Sequence, residues 1–162
     1  MKIFMFVAMV LSFQQGLAQG FEIKDGEWNG TMRIYKSNSI VDTLPVTLTI
    51  RTIIKDSVWQ WKTTYLSSKM PLTKDYVLKV KDRAKGIYST DEQDGTELLN
   101  YLIGNKMYCQ FEVSEIFLTS SYEWIQDDIK FEITAGKKLT SQKEINNYSV
   151  NTLQTVLFKK NL

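Results

Sequence analysis

The sequence contains no histidine and only one cysteine among its 162 residues. Without histidine, the chain cannot form a Ser-His-Asp or Cys-His nucleophile system, a His-based zinc or iron site, or a haem site with a proximal His. Because Cys109 is alone, an internal disulfide, a CxxC redox pair and a cysteine-cluster metal site are excluded as well. The net charge of +2 is far from the strongly basic balance of nucleic-acid-binding proteins, so we expect no nucleic-acid partner.

The first twenty residues have the pattern of a secretory signal peptide. Lys2 provides a positive n-region, residues 3–13 form an apolar stretch, and Gly16 and Ala18 are small residues suited to a cleavage site. This apolar stretch is too short for a membrane anchor, since a spanning helix needs about 20 residues. We therefore predict a signal peptide over residues 1–18, with Gln19 as the neighbouring cleavage choice. The mature protein would be periplasmic or secreted and would have no transmembrane segment.

The remainder, residues 19–162, is predicted to form one all-β domain. Aromatic residues and threonine are frequent, and apolar residues recur with a period of two, which is typical of strands. Turn signals such as Asp94-Gly95 and Gly104-Asn105 separate the alternating runs. The predicted strands cover residues 26–37, 43–54, 57–66, 75–82, 85–90, 96–103, 106–113, 115–125, 128–135 and 147–160.

The short connections favour an antiparallel up-and-down barrel of about ten strands. Consecutive strands joined by a few residues pair as antiparallel neighbours, and closing the sheet removes its two long edges. The longest connection, residues 136–146, contains Ser141 and Glu144 in a capping-box pattern, which predicts a short helical turn near 140–146.

The first predicted strand opens with Gly26-x-Trp28-x-Gly30. This motif, in a small exported antiparallel barrel, resembles the calycin group and is most similar to lipocalin-like and nitrobindin-like barrels. The resemblance implies that Trp28 plugs one barrel end, that Lys159 or Lys160 packs over it, and that the interior holds an apolar ligand. Nitrobindin-like proteins hold haem through a His, so the absence of His excludes that cofactor here, and we predict none.

The candidate ligand-binding residues lie on predicted strand faces that mix aromatic, apolar and polar side chains. Trp59, Trp61 and Tyr65 share a face and would form an aromatic wall with a hydroxyl at one end, although the rings could simply fill the barrel. Polar residues on otherwise apolar faces need hydrogen-bond partners inside the protein or on a ligand. Cys109 is expected to be a small buried apolar residue. The predicted set is Trp59, Trp61, Tyr65, Tyr101, Met107 and Gln154.

Two functions compete on these observations. The first is an exported barrel that binds a lipophilic small molecule, which predicts an internal cavity of several hundred cubic ångströms. The alternative is a ligand-free structural or protein-interaction module of the cell envelope, which predicts an exposed apolar patch. An enzyme is not expected, because no nucleophile or metal constellation is present and few acidic residues fall on the predicted inward faces. The protein partner, if there is one, is unknown.

Overall fold

The structure is a computed structural model that describes residues 22–68, 71–140 and 145–161. The predicted signal peptide over residues 1–18 and the capping box over residues 141–144 lie outside these ranges. The flanking residues Thr140 and Ile145 are described and are not helical. Within the described ranges, no helix has the length and apolarity needed to cross a bilayer.

Ten antiparallel strands build the described part of the molecule, as the sequence predicts. Seven of them begin and end within two residues of the predicted bounds, because alternating runs and turn dipeptides mark both their interiors and their limits. The strands are β1 (Gly26–Lys36), β2 (Ser39–Ile54), β3 (Val58–Tyr65), β4 (Leu72–Asp82), β5 (Ile87–Asp91), β6 (Glu97–Ile103), β7 (Lys106–Val113), β8 (Ile116–Ile125), β9 (Asp128–Lys137) and β10 (Thr152–Lys160).

The strands form a closed up-and-down barrel, which confirms the predicted fold class. Each strand pairs with its neighbours in the sequence, and β1 pairs with β10 to close the sheet. Closure leaves no strand at an open edge of the sheet. The β6–β7 pairing is the shortest, and it joins only Tyr101–Ile103 to Lys106–Tyr108. Alternate residues point inward, and the most deeply buried large side chains are Phe158, Met32, Leu48, Ile50, Leu78 and Ile129.

The Gly26-x-Trp28-x-Gly30 segment has a physical explanation at the closed end of the barrel. A Cβ atom on Gly26 would lie 2.7 Å from the Trp28 ring, so glycine lets the indole lie flat across the backbone. A Cβ atom on Gly30 would lie 2.7 Å from the carbonyl oxygen of Leu157, where β10 approaches β1. Both glycines are therefore needed for close packing, and neither has a positive φ angle.

Trp28 fills the barrel end at which the chain enters β1. Its side chain is buried, and its indole N–H donates a hydrogen bond of 2.7 Å to the carbonyl oxygen of Asp127. The Nζ atom of Lys160 lies 6.0 Å from the centre of the Trp28 ring, within the range of a cation–π contact. Ile23 is buried in the same cluster, so the segment before β1 helps to cover this end.

The last strand begins later than predicted. β10 starts at Thr152, whereas the alternating pattern placed its start near residue 147. Ser149 and Asn151 instead donate their backbone N–H groups to the carbonyl oxygens of Lys137 and Ala135, which holds this segment along the end of β9. The carbonyl oxygen of Ser149 lies 1.7 Å from where a Cβ atom on Gly136 would be, so only glycine fits there.

Candidate functional site

A cavity of about 100 Å³ lies in the half of the barrel away from Trp28. It extends towards the turns that follow β3, β5 and β7, and it opens between them. The apolar part of its wall comes from Trp61, Leu78, Leu98, Met107, Phe111, Tyr122, Phe131 and Ile133. The other half of the barrel is filled by buried side chains, so the cavity is closed towards Trp28.

The charged groups of the cavity lining are at its mouth. Lys74 and Glu92 are the charged residues among the described residues that line the cavity. The Nζ atom of Lys74 lies 5.7 Å from the centre of the Tyr76 ring, within cation–π range. The mouth therefore presents one cation and one carboxylate, whereas the deeper wall is uncharged.

Burial shifts the acid–base behaviour of the lining residues in one direction. It raises the pKa of Tyr65 and, together with the carboxylates of Glu92 and Asp94, the pKa of Tyr76. Burial also raises the pKa of the Tyr122 hydroxyl, and it raises the pKa of the Cys109 thiol to about 11. All of these groups are consequently neutral near pH 7 and act as hydrogen-bonding groups rather than as bases.

The most deeply buried side chain with a polar atom in the cavity lining is that of Trp61. This residue is 3% exposed, and its N–H makes no hydrogen bond of ordinary geometry to any described residue. The hydroxyl of Tyr122 is close enough for Trp61 and Thr63 to oppose the rise of its pKa, but the indole N–H and that hydroxyl do not meet hydrogen-bond geometry. Trp61 thus contributes to the cavity wall a donor that has no partner among the described residues, and the N–H itself has almost no accessible surface.

The structure brings three of the predicted ligand-binding residues together. Trp61, Tyr65 and Met107 all line the cavity. Trp59 points inward too, but it is buried against Tyr88 at a ring-centre distance of 6.5 Å and does not line the cavity. Its ring therefore fills the barrel, which was the alternative for this aromatic face.

Gln154 also points inward without reaching the cavity. It shares a face of β10 with the buried Val156 and Phe158, and it pairs across the sheet with Ile34 and Ile133. Its side chain is half-buried, and it is not one of the residues that line the cavity. Gln154 is therefore placed beside the cavity rather than in it.

The prediction that Tyr101 faces the interior is wrong. Tyr101 is 45% exposed on the outer face of β6, with Leu99 and Ile103, and it pairs with Ile87 and Tyr108 on the neighbouring strands. Alternation did not decide the orientation of β6, because both of its faces carry apolar residues. The inward face instead contains Asn100, whose amide donates to the hydroxyl of Thr90 and is thereby satisfied inside the barrel.

Tyr122 and Glu92 were not predicted as site residues. Tyr122 shares a strand face with Ser120 and Trp124 and alternates with Ser121 and Glu123, so the period-two pattern of this segment contained a usable signal. Glu92 lies just beyond β5, in an acidic turn that the sequence predicts to be exposed to solvent. Nothing in the sequence indicates that it borders a cavity. Its position depends on how the turn after β5 folds across the barrel end.

The described residues contain no cluster of three or more Cys, Asp or Glu side chains that could hold a metal ion. No protein-family model matches this sequence, and no curated protein is similar to it. The resemblance to calycin-like barrels therefore stays a prediction from the Gly26, Trp28 and Gly30 motif.

Proposed function

We propose that this protein is an exported barrel that binds a lipophilic small molecule in its interior. The proposal rests on one observation: the barrel is filled at the Trp28 end and contains, at the other end, a cavity with an apolar wall and a polar mouth. Concave, mostly apolar sites with a few polar groups are typical of small-molecule binding.

The size of the cavity limits how much of the ligand can enter. Its volume of about 100 Å³ is below the several hundred cubic ångströms expected from the sequence. A closed cavity of about 150 Å³ is large enough for one benzene molecule. We therefore propose that one end of the ligand, no larger than a small ring or a short chain, enters the barrel. The rest would lie at the mouth near Lys74 and Glu92.

A cavity-filling variant with a matched control tests the proposal. Cys109 and Gln110 are neighbours on β7; Cys109 faces the cavity, and Gln110 is exposed on the outside. With toluene as the probe, we expect amide resonances of cavity residues to shift in the wild type and in Gln110→Phe. In Cys109→Phe the added ring occupies the cavity, so the shifts should disappear. Toluene that leaves the cavity resonances of the wild type unmoved would refute the proposal.

Export is proposed on the N-terminal sequence pattern. Cleavage after Ala18 would remove none of the described residues, and the barrel begins only at Gly26. The intact mass of the protein recovered from outside the cytoplasm should correspond to a chain that begins at Gln19 or Gly20. Recovery of the full 162-residue chain in the cytoplasm would contradict export.

We propose binding without chemical conversion, cofactor or nucleic acid. The pKa values of Tyr65, Tyr76, Tyr122 and Cys109 are all raised, which takes these groups away from the range of an effective general base near pH 7. The near-neutral charge balance gives no electrostatic attraction for nucleic acid.

The alternative, a protein-interaction module of the cell envelope, is supported by a patch on the outer face of β6 and β7. Leu99, Tyr101, Ile103 and Tyr108 are between 36% and 68% exposed there. A second copy of this chain is the partner that can be tested directly. If the alternative holds, sedimentation should show a dimer that Ile103→Glu dissociates, whereas a monomer at all concentrations would count against self-association through this patch.

A further inference from the structure

We propose that the end of the ligand that enters the barrel carries a neutral hydrogen-bond acceptor, such as the carbonyl oxygen of a ketone, aldehyde, ester or amide. This inference rests on the proposed function, because it specifies the chemistry of the molecule that the same cavity would bind. It is carried by the unpartnered N–H of Trp61 and by the groups around that N–H.

Trp61 provides a donor that the described residues leave unused. The side chain is 97% buried, it lines the cavity, and its N–H has no hydrogen-bond partner. An N–H group removed from water without an acceptor is unfavourable, so an acceptor delivered by a ligand gains the whole hydrogen bond. An indole has a donor and no acceptor, so the complementary ligand atom is an acceptor.

The rings around Trp61 are poor substitutes for such an acceptor. Tyr122 and Trp124 lie edge-to-face with Trp61, with ring centres 5.0 Å and 6.1 Å away and interplanar angles of 77° and 76°. An aromatic face accepts an N–H only weakly in comparison with an oxygen atom. A carbonyl oxygen would therefore compete successfully with these rings for the Trp61 donor, and the nearby hydroxyl oxygen of Tyr122 does not meet hydrogen-bond geometry with it.

The surroundings favour a neutral acceptor over an anion. Burial raises the pKa of Tyr122, so its hydroxyl keeps its proton and offers a second donor near Trp61. A carbonyl oxygen has two lone pairs and can accept from both. Among the described residues, the lining has one cation, Lys74, and it is at the mouth, so a carboxylate at the depth of Trp61 would be buried without a described counter-charge.

This chemistry sets the direction in which the ligand enters. The acceptor goes in first and reaches the Trp61 N–H after a small displacement of the side chains that cover it. The apolar body behind it contacts Leu98 and Phe111 nearer the mouth.

A pair of isosteric probes tests the inference. Cyclopentanone and methylenecyclopentane have nearly the same shape and differ in having an oxygen atom or a CH₂ group at one position. Each is titrated into the ¹⁵N-labelled protein, and the indole N–H signals of the four tryptophans are followed. The signals are assigned with Trp→Phe variants, among which Trp59→Phe is the matched control because Trp59 lies outside the cavity lining.

Cyclopentanone should move the Trp61 indole proton signal downfield, and methylenecyclopentane should not. Trp61→Phe should weaken the binding of cyclopentanone about three- to tenfold, as expected for one hydrogen bond, and change that of methylenecyclopentane less than about twofold. Trp59→Phe should leave the difference between the two probes unchanged. If Trp61→Phe does not fold, the inference is tested by the wild type alone, through the downfield shift of the Trp61 indole signal with cyclopentanone.

The contrary outcomes separate the two proposals. If both probes perturb the cavity residues and neither moves the Trp61 indole signal, the acceptor inference is overturned and small-molecule binding stands. If neither probe perturbs any cavity residue, both proposals are overturned.

Discussion

At the scale of single residues, the cavity keeps its hydrogen-bonding groups neutral. Burial raises the pKa of Tyr65, Tyr122 and Cys109, and the charged Lys74 and Glu92 stay at the mouth. A lining of neutral donors and acceptors is polar enough to orient a molecule without requiring it to be charged. The same effect makes the thiol of Cys109 a measurable reporter of its surroundings.

Cys109 should react slowly with iodoacetamide. Its pKa of about 11, against an ordinary value of 9.0, lowers the thiolate fraction at pH 8 about a hundredfold, and the thiolate is the reactive form. We expect alkylation, followed by mass spectrometry, to be at least that much slower in the folded protein than in urea. It should accelerate up to about pH 11. Alkylation as fast in the folded as in the unfolded protein would show that Cys109 is not buried in this way.

Residue identity alone did not reveal which face of β6 points inward. By hydrophobicity, Asn100 is expected to point outward and Tyr101 inward. In the structure Asn100 points inward and Tyr101 points outward. The hydrogen bond from Asn100 to Thr90 satisfies the buried amide, and this partner lies on another strand. Because a shift of one residue exchanges the two faces of a strand, a single satisfied polar group can reverse the prediction.

At the scale of elements, the junction of β1 and β10 closes the barrel. Gly30 permits the close approach of Val156 and Leu157, and a Cβ atom there would lie 2.5 Å from a methyl group of Val156. The pairing of these two strands joins the first and last elements of the barrel, so the junction forms only when the whole chain is present. Its packing therefore bears directly on the stability of the fold.

Gly30→Ala should destabilise the protein. The added methyl group would meet the carbonyl oxygen of Leu157, which cannot move without shifting β10, and such overpacking costs about 1–3 kcal/mol. Urea unfolding followed by tryptophan fluorescence measures the change. Thr31→Ala, an exposed position on the same strand, should change the free energy of unfolding by less than about 0.5 kcal/mol. Equal stabilities of Gly30→Ala and the wild type would refute this account of the junction.

The sequence predicted the strands well where alternation and turn residues agreed. Asp94-Gly95 and Gly104-Asn105 mark tight connections, and both glycines have positive φ angles. The prediction was wrong at the start of the last strand, because residues 147–151 alternate like a strand yet follow β9 irregularly beside Gly136. The close contact of Gly136 with Ser149 is a tertiary feature that no local pattern encodes.

At the scale of the whole molecule, ion pairs between strands lie on the outside of the barrel. Asp91 pairs with Lys79, Glu97 with Lys81, and Asp128 with Lys159. Hydrogen bonds from the lysines are the largest cause that holds the pKa of each of these carboxylates below its usual value. Stability should consequently depend on pH in the acidic range.

The protein should become less stable as the pH falls below about 5. The carboxylates have lower pKa values in the folded than in the unfolded chain, so unfolding takes up protons and acid favours it. The urea midpoint should be lower at pH 3 than at pH 7. Asp128→Asn should reduce this difference, whereas Glu112→Gln, at an exposed site with no described ion pair, should not. An unchanged midpoint between the two pH values would contradict the prediction.

The volume of the cavity could not be predicted from the sequence. It is the small remainder after the inward side chains of ten strands have filled the barrel, so it depends on all of their rotamers together. The sequence identified Trp61 and Met107 as inward residues, but it could not show that Trp59 fills space while Trp61 borders a cavity.

The filling of the barrel around Trp28 has a kinetic consequence. A molecule held in the cavity has no exit towards Trp28, because buried side chains fill that half of the barrel. Anything that sits across the mouth would therefore slow loading and release by the same factor and leave the dissociation constant unchanged. Residence time in this barrel would thus be set at the turns around the mouth, independently of the affinity set by the wall.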